Sequence, residues 1–268
     1  MKRYVLLLTT LIMVSAAYGV AAGDTLPSRN NWYFGAGELR TSDPTLSPQE
    51  YNGPSVSFMG EHTNDYLCKA PMEWSFDYCF TYAYLLNESK SARMNYFALD
   101  LRYGSYYRFE PVKGLAIAAG GRIDLFGAVK NQTRNVNNIG AGDIRFNLDA
   151  TARIRYQYHW NSRFGLETGY DFAMPFIGCM FMPDFGESYY EINEGLPGNL
   201  KRLVTFTSFH NLQNIKGILT FNILFPDGAL IFAFSHENAW WQGKAGHFYT
   251  HNLTGSIGFA LRLKTLRI

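Results

Sequence analysis

The stretch TSFHN sets a nucleophile and a base on one face of an expected strand in this 268-residue chain: Ser208 and His210 stand two apart, with Asn211 next to them. A serine hydroxyl beside an imidazole that can take its proton, with an amide or acid to orient the imidazole, is the equipment of acyl transfer. On an extended strand, residues two apart share a face but lie about 7 Å from each other. Ser208 and His210 therefore need a partner from a neighbouring element, and Asn211, of opposite parity, faces away from both. His236 in SHENAW, with Asn238, lies one strand further over and is a weaker candidate; it has no HExxH partner, so no zinc protease motif is present. In HFYTH, His247 and His251 stand four apart, a metal-ligand spacing only on a helix, and they read better as surface aromatics of a strand at a membrane interface. No Gly-rich phosphate loop and no GxSxG elbow accompanies the serine. No metal and no cofactor is called for, and a non-enzymatic role is the first reading.

A second set of chemically capable residues is organised by parity. In DIRFNLDATARIRYQYHW the even positions from Ile144 to Trp160 are apolar or aromatic, while Asp143, Arg145, Asp149, Arg153 and Arg155 occupy odd ones. Period 2 means one greasy face and one charged face on an extended strand. The run is about twice an ordinary soluble strand, and a tilted strand crossing a bilayer needs roughly 9 to 11 residues for the hydrocarbon alone. The same alternation recurs in MEWSFDYCFTYAY, in NYFALDLRYGSYYRF, in GLAIAAGGRIDLFGA and in NLTGSIGFALRLK near the C-terminus. Strands of this kind in series, separated by turn residues, are the mark of a transmembrane β-barrel. The expected fold is all-β, a transmembrane antiparallel up-and-down barrel of about 12 strands, with 10 and 14 as the even alternatives.

Export is written at the start. MKRYVLLLTTLIMVSAAYGVAAG places Lys2 and Arg3 before an apolar run and ends in small residues, the layout of a cleaved signal peptide over 1–22. Residues 23–30 form a short periplasmic lead-in and 31–268 a single barrel domain. Losing Lys2 and Arg3 with the leader leaves 22 Lys+Arg against 22 Asp+Glu, so there is no basic surface for nucleic acid. Aromatic residues are 16% of the chain and charged ones 17%, a mixture that suits strands. Cys68, Cys79 and Cys179 are an odd count with no framework spacing; at most one bridge can form, and its members stay open.

Turn and loop lengths give an orientation. FEPVKG, HWNSRF and FPDGA read as short turns, whereas TSDPTLSPQEYNG, VKNQTRNVNNIGAG and NAWWQGKAGHFYT read as long outer loops. Upward strands are expected near 31–40, 71–85, 113–127, 163–179, 200–210 and 228–238. Downward strands are expected near 54–63, 93–108, 143–160, 186–195, 215–225 and 251–265, with both chain ends in the periplasm. On this tracing Ser208 and His210 sit at the outer end of a strand with Val204 and Phe206 below them.

The segments FGAGELRTSDPTLSPQEYNGPSVSF, FMPDFGESYYEI, TFTSFHNLQNIKGILTFNILFP and HFYTHNLTGSIGF resemble a domain-of-unknown-function family of outer-membrane barrels found in gut Gram-negative anaerobes. The resemblance covers nearly the whole mature chain and implies an exported barrel with no established activity. The chain ends in Ile268 rather than the terminal aromatic of the commoner porin pattern.

Inward charges then become the candidate functional set: Asp100, Arg102, Arg122, Asp124, Arg145, Asp149, Arg153, Arg155, Glu167 and Asp171. Across neighbouring strands Arg155 is expected near Glu167, Arg153 near Asp171, Asp100 near Arg122 and Arg102 near Asp124. Acids and bases balance, which favours a self-neutralised scaffold over a filter, since filters carry rings of one sign. The function expected is an integral barrel of the Gram-negative outer membrane, a small-solute conduit or a structural, surface-presenting protein. Its partners would be outer-membrane lipid, lipopolysaccharide and the barrel-assembly machinery, and the barrel would be a monomer. The alternative is a lipid-acting hydrolase or deacylase at Ser208, His210 and His236.

Overall fold

A computed structural model describes residues 28–44, 46–64, 71–132, 140–161, 163–181, 204–243 and 246–263. Eleven strands are formed: β1 (Ser28–Asp43), β2 (Ser47–Asn64), β3 (Met72–Asn87), β4 (Arg93–Val112), β5 (Leu115–Gln132), β6 (Gly140–His159), β7 (Gly165–Phe181), β8 (Val204–Ser208), β9 (Leu212–Phe225), β10 (Gly228–Gly243) and β11 (Gly246–Leu263). Sequential neighbours pair antiparallel from β1 to β7, β7 pairs with β9, β9 with β10 and β10 with β11; β11 returns to β1 from Ser28↔Leu263 to Ser42↔Tyr249. Among the described residues the result is a closed barrel in which each of ten strands is paired on both sides, while β8 pairs with β7.

The expected count of 12 and the ten strands of the barrel differ at two segments, 186–195 and 200–210. Val204–Ser208 was expected to run opposite to 215–225, yet β8 and β9 are both antiparallel to β7, β8 along Ile177–Phe181 and β9 along Gly165–Ala173. They run the same way, one after the other along one edge, so β8 is an eleventh short strand that prolongs β9. Val204 and Phe206 consequently lie beyond Ser208 on the loop side, the reverse of the expected order. The expected strand at 186–195 lies outside the described residues. Two expected loops are also corrected: TSDPTLSPQEYNG and NAWWQGKAGHFYT belong largely to β1–β2 and β10–β11, whose strands run almost to the turn. Alternation continues through both segments, with Leu39, Tyr51, Trp241 and Phe248 buried, and the sheet continues with it.

Both barrel ends are set by the chain. The near rim holds the starts of β1 and the end of β11 together with the short turns at 113–114, 160–164 and 226–227. Gly114 takes φ +85° in the β4–β5 turn, a conformation open to glycine at no steric cost. The far rim holds the ends of β1, β3, β5, β7 and β10 and the starts of β2, β4, β6, β8 and β11.

Outward positions form an apolar belt. Phe34, Phe80, Phe97, Phe146, Phe206, Phe234 and Ile257 are each exposed, far more large apolar surface than a soluble monomer presents. Inward positions of the same strands are polar, so the layering is that of a membrane-spanning barrel, apolar outside and charged within. As expected for NLTGSIGFALRLK, β11 turns Leu253, Ile257, Phe259 and Leu261 outward.

Candidate functional site

Parity fills the lumen in layers. Toward the far rim Leu39, Tyr51, Leu85, Met94 and Phe126 pack into an apolar cluster, and Met180, Leu212, Trp241 and Phe248 form a second. Lys130 is fully buried among them; its ammonium lies 2.7 Å from both Asp43 and Asp143 and 4.4 Å from the Phe248 ring centroid. A buried ammonium needs such paired acids to offset its lost hydration.

Below this cap the charges take over. Lys216 of β9 reaches across to Asp100 at 2.8 Å and to Asp124 at 2.5 Å. Arg102 binds Asp100 on its own strand at 2.5 Å, and Arg122 binds Asp149 at 2.9 Å with Asp124 at 3.9 Å. Arg145 crosses to Glu237 at 3.5 Å with its guanidinium 3.8 Å from the Phe126 ring centroid. Nearer the terminal rim Arg153 is surrounded by acids: Glu73 at 2.7 Å, Glu61 at 3.6 Å, Asp171 at 3.6 Å and Asp77 at 3.8 Å, with the Tyr106 ring beneath it at 4.0 Å. Arg155 shares Glu61, Glu73 and Asp171. Glu167 instead holds Arg29 at 2.6 Å and the Asn222 amide at 2.6 Å.

All ten residues expected in the lumen are there, but the partners differ. Arg153 meets Asp171 as expected. The pairings Arg155–Glu167, Asp100–Arg122 and Arg102–Asp124 are replaced, although Arg102 stands directly opposite Asp124 in register. In so narrow a lumen a long side chain reaches the far wall as easily as the adjacent strand, and Lys216 from β9 takes both aspartates. Sequence reasoning left out Lys216, Glu61, Glu73, Asp77, Arg29, Lys130 and Glu237. For Glu73 and Asp77 the signal was present, since both occupy the polar face of β3.

Among the described residues the network leaves small cavities on its two sides. On one side of Lys216 and Arg102 is a cavity of about 40 Å³, lined also by Arg122, Arg153 and Asp171. On the other is one of about 50 Å³, lined also by Tyr96, Asp100 and Phe126. Each has room for only a few waters, at about 10–15 Å³ apiece. A wider vestibule of about 320 Å³ opens at the terminal rim between Arg29, Arg108, Arg155 and Glu110.

On the outer wall the Ser208 and His210 geometry is changed by the break between β8 and β9. Residues 209–211 leave the strand as a turn closed by Asn211 N–H to the Ser208 carbonyl at 3.1 Å. Asn211 grips it further, its Oδ1 accepting from Ser208 N–H at 2.9 Å and its Nδ2 donating to the Phe206 carbonyl at 2.7 Å. The turn folds His210 back onto its neighbour, and the Ser208 hydroxyl is hydrogen-bonded to His210 Nδ1. The separation expected of a regular strand is thereby corrected: the two residues meet without help from another element. Both face outward, as expected, beside the Phe176–Phe209 edge-to-face pair. Opposite the break β7 carries a bulge at Pro175–Phe176, a position where a proline's missing N–H is tolerated. His236 stands apart, its ring hydrogen-bonded to the Tyr170 hydroxyl at 3.3 Å over Gly217. His247 stacks on Trp240. Cys79 and Cys179 are free thiols on separate strands, and Cys68 lies outside the described residues.

Solved structures of similar fold include the outer membrane protease OmpT of Escherichia coli, at 8% identity over 91% of this chain and 100% of that one with a TM-score of 0.49. The transport unit of the autotransporter AIDA-I, also of Escherichia coli, matches at 9% identity over 94% and 97% with a TM-score of 0.47. The translocator domain of NalP from Neisseria meningitidis matches at 8% over 97% and 96% with a TM-score of 0.38. None of these likenesses carries a statement about activity. No protein of curated function matches the chain. Residues 4–268 match the family model described as Protein of unknown function (DUF3316), and the chain, with its charge-packed lumen and broken outer strand, belongs to that family.

Proposed function

We propose that the chain is an integral barrel of the outer membrane of a Gram-negative bacterium, exported by a leader over 1–22, monomeric, and built to stay closed. Its role is structural and surface-presenting, with the far rim outside the cell and both chain ends in the periplasm. Outer-membrane lipid and lipopolysaccharide surround the belt, and the barrel-assembly machinery inserts it. The observation that carries this reading is the partition made by Lys216, Arg102, Asp100 and Asp124, with cavities of only about 40 and 50 Å³ on its two sides. A filter would hold a ring of one sign around open space; here each cation of the partition has an acid against it.

Planar-bilayer recording of the purified protein tests the reading. Silence is expected at moderate voltage, and steady open steps would overturn closure. Lys216→Ala removes the side chain that spans the lumen but leaves the apolar cluster toward the far rim, so small, flickering conductance is expected only when it is combined with Leu85→Ala. Location is read separately: the protein should resist carbonate washing and migrate faster on a gel before boiling than after.

A further inference from the structure

We propose that Ser208 and His210 form an acyl-transfer site on the lipid-facing wall, acting on carboxylic esters presented by the bilayer. The inference goes beyond the closed-lumen reading and does not depend on it, because nothing in the site faces the lumen.

Three observations support it. First, a strand interior would keep the pair about 7 Å apart, and here the strand is interrupted at the one place that brings the serine hydroxyl onto the imidazole. Second, the turn is built rather than loose: the Asn211 side chain accepts from the Ser208 N–H and donates to the Phe206 carbonyl, so the serine is held by groups that do not take part in its own hydroxyl bond. Third, the surroundings suit a greasy substrate. Phe176, Phe206 and Phe209 are all exposed around the pair, on the face that meets hydrocarbon. Tyr170 and His236, also outward and hydrogen-bonded, lack the nucleophile that would make them a site of this kind.

The chemistry closes with water as the only co-reactant. His210 Nδ1 takes the proton of the Ser208 hydroxyl as Oγ bonds to the ester carbonyl carbon. Phe209 and His210 lie outside every ladder pairing, and their N–H groups are the donors the turn offers to the carbonyl oxygen as it gains charge. The carbon–alkoxide bond then breaks and the leaving alcohol receives the proton from His210. A water gives its proton to the same nitrogen and attacks the acyl-serine, the carbon–Oγ bond breaks, Ser208 recovers its proton, and a free acid departs. Among the described residues no acid bonds the other ring nitrogen of His210, so the site is a dyad and a slow one.

The full mature chain, refolded and checked by its gel shift, is treated with a fluorophosphonate probe and the adduct located by peptide mass spectrometry. Ester turnover is followed in two arms, vesicles of phosphatidylethanolamine with labelled acyl chains and the same vesicles containing lipopolysaccharide, which separate phospholipid from lipid A as the source of the ester. The expected result is an adduct on Ser208, its loss in Ser208→Ala, and labelling and turnover reduced at least tenfold in His210→Gln. His236→Gln should leave both unchanged. A folded protein with no Ser208 adduct, or one whose labelling is the same in His210→Gln, overturns the proposal; so does ester turnover that survives Ser208→Ala. Conductance is indifferent to these variants, so failure here and failure of closure are told apart.

Discussion

The lumen is blocked twice, by an apolar cap at the far rim and by ion pairs below it, and the two regions are held by different physics. In the cap, Leu85, Met94, Tyr51 and Phe248 fill space, and each contributes in proportion to the area it hides from water. In the charged layers, Arg153 touches four carboxylates, and its value lies in what its removal would leave behind. Apolar packing fails by degrees when a side chain shrinks. A charge network fails abruptly, because a buried ion without its partner is far more costly than the pair is worth. The comparison predicts that the two regions respond differently to truncation and to neutralisation.

The sharpest break is Arg153→Ala. It strands Glu73, Glu61, Asp77 and Asp171 together, with Arg155 as the cation left among them, and should lower stability by about 3–5 kcal/mol, read from urea unfolding in vesicles by tryptophan fluorescence. Adding Glu73→Gln should recover part of the loss by removing one of the stranded charges. An unchanged urea midpoint in Arg153→Ala would take the network out of the stability account.

Leu85→Ala probes the cap. Leu85 is fully buried, and the cavity left should cost about 2–4 kcal/mol, with no rescue by any charge change elsewhere. Bilayer recordings should stay silent, since the charged partition below is intact. Open steps in Leu85→Ala would move the seal from the partition to the cap.

These differences also explain what could be read from the sequence. Period 2 in DIRFNLDATARIRYQYHW sorted the β6 side chains from Asp143 to Tyr158, because the pleat alone decides which face a residue takes. It could not say which acid Arg155 or Asp124 would meet: that depends on how far the opposite wall stands, a property of strand number and stagger that no local window contains. The strand count went wrong for a related reason. β8 and β9 look like an up and a down strand because polar residues, His210 and Asn211, separate them, and a turn inside a strand carries the same local signature as a turn between two strands. The Ser208 and His210 contact was missed with it, since a 7 Å spacing follows only if the strand continues.

Asn211→Ala addresses that break directly and should have a smaller effect. It removes two side-chain-to-backbone bonds, at 2.9 and 2.7 Å, from a turn at the protein surface. At about 0.5–1.5 kcal/mol each, the loss should total about 1–3 kcal/mol while leaving the gel shift intact. Amide exchange at Ser208 should rise in the variant. Unchanged exchange would mean that the turn is held by the Phe176–Phe209 contact instead.

The smallest effect is expected at Arg40, where the sequence offers a matched control. Arg40 and Glu38 are two apart on one face of β1 and bond at 2.9 Å; Arg102 and Asp100 are two apart on one face of β4 and bond at 2.5 Å. The chemistry and the spacing are alike, but the first pair has side chains 50% and 53% exposed and the second 9% and 6%. At the far rim water and salt screen the attraction, and both side chains regain rotamer freedom when the bond is cut. In the lumen cutting the bond leaves Asp100 buried, and Lys216 alone must then carry that aspartate together with Asp124. Arg40→Ala should therefore leave the urea midpoint where it was, at low and high salt alike, while Arg102→Ala lowers it clearly and salt does little to mask the loss. A measurable, salt-sensitive fall in Arg40→Ala would mean that the rim of β1 is less wet than its exposure indicates, and would extend the braced region of the barrel beyond the membrane.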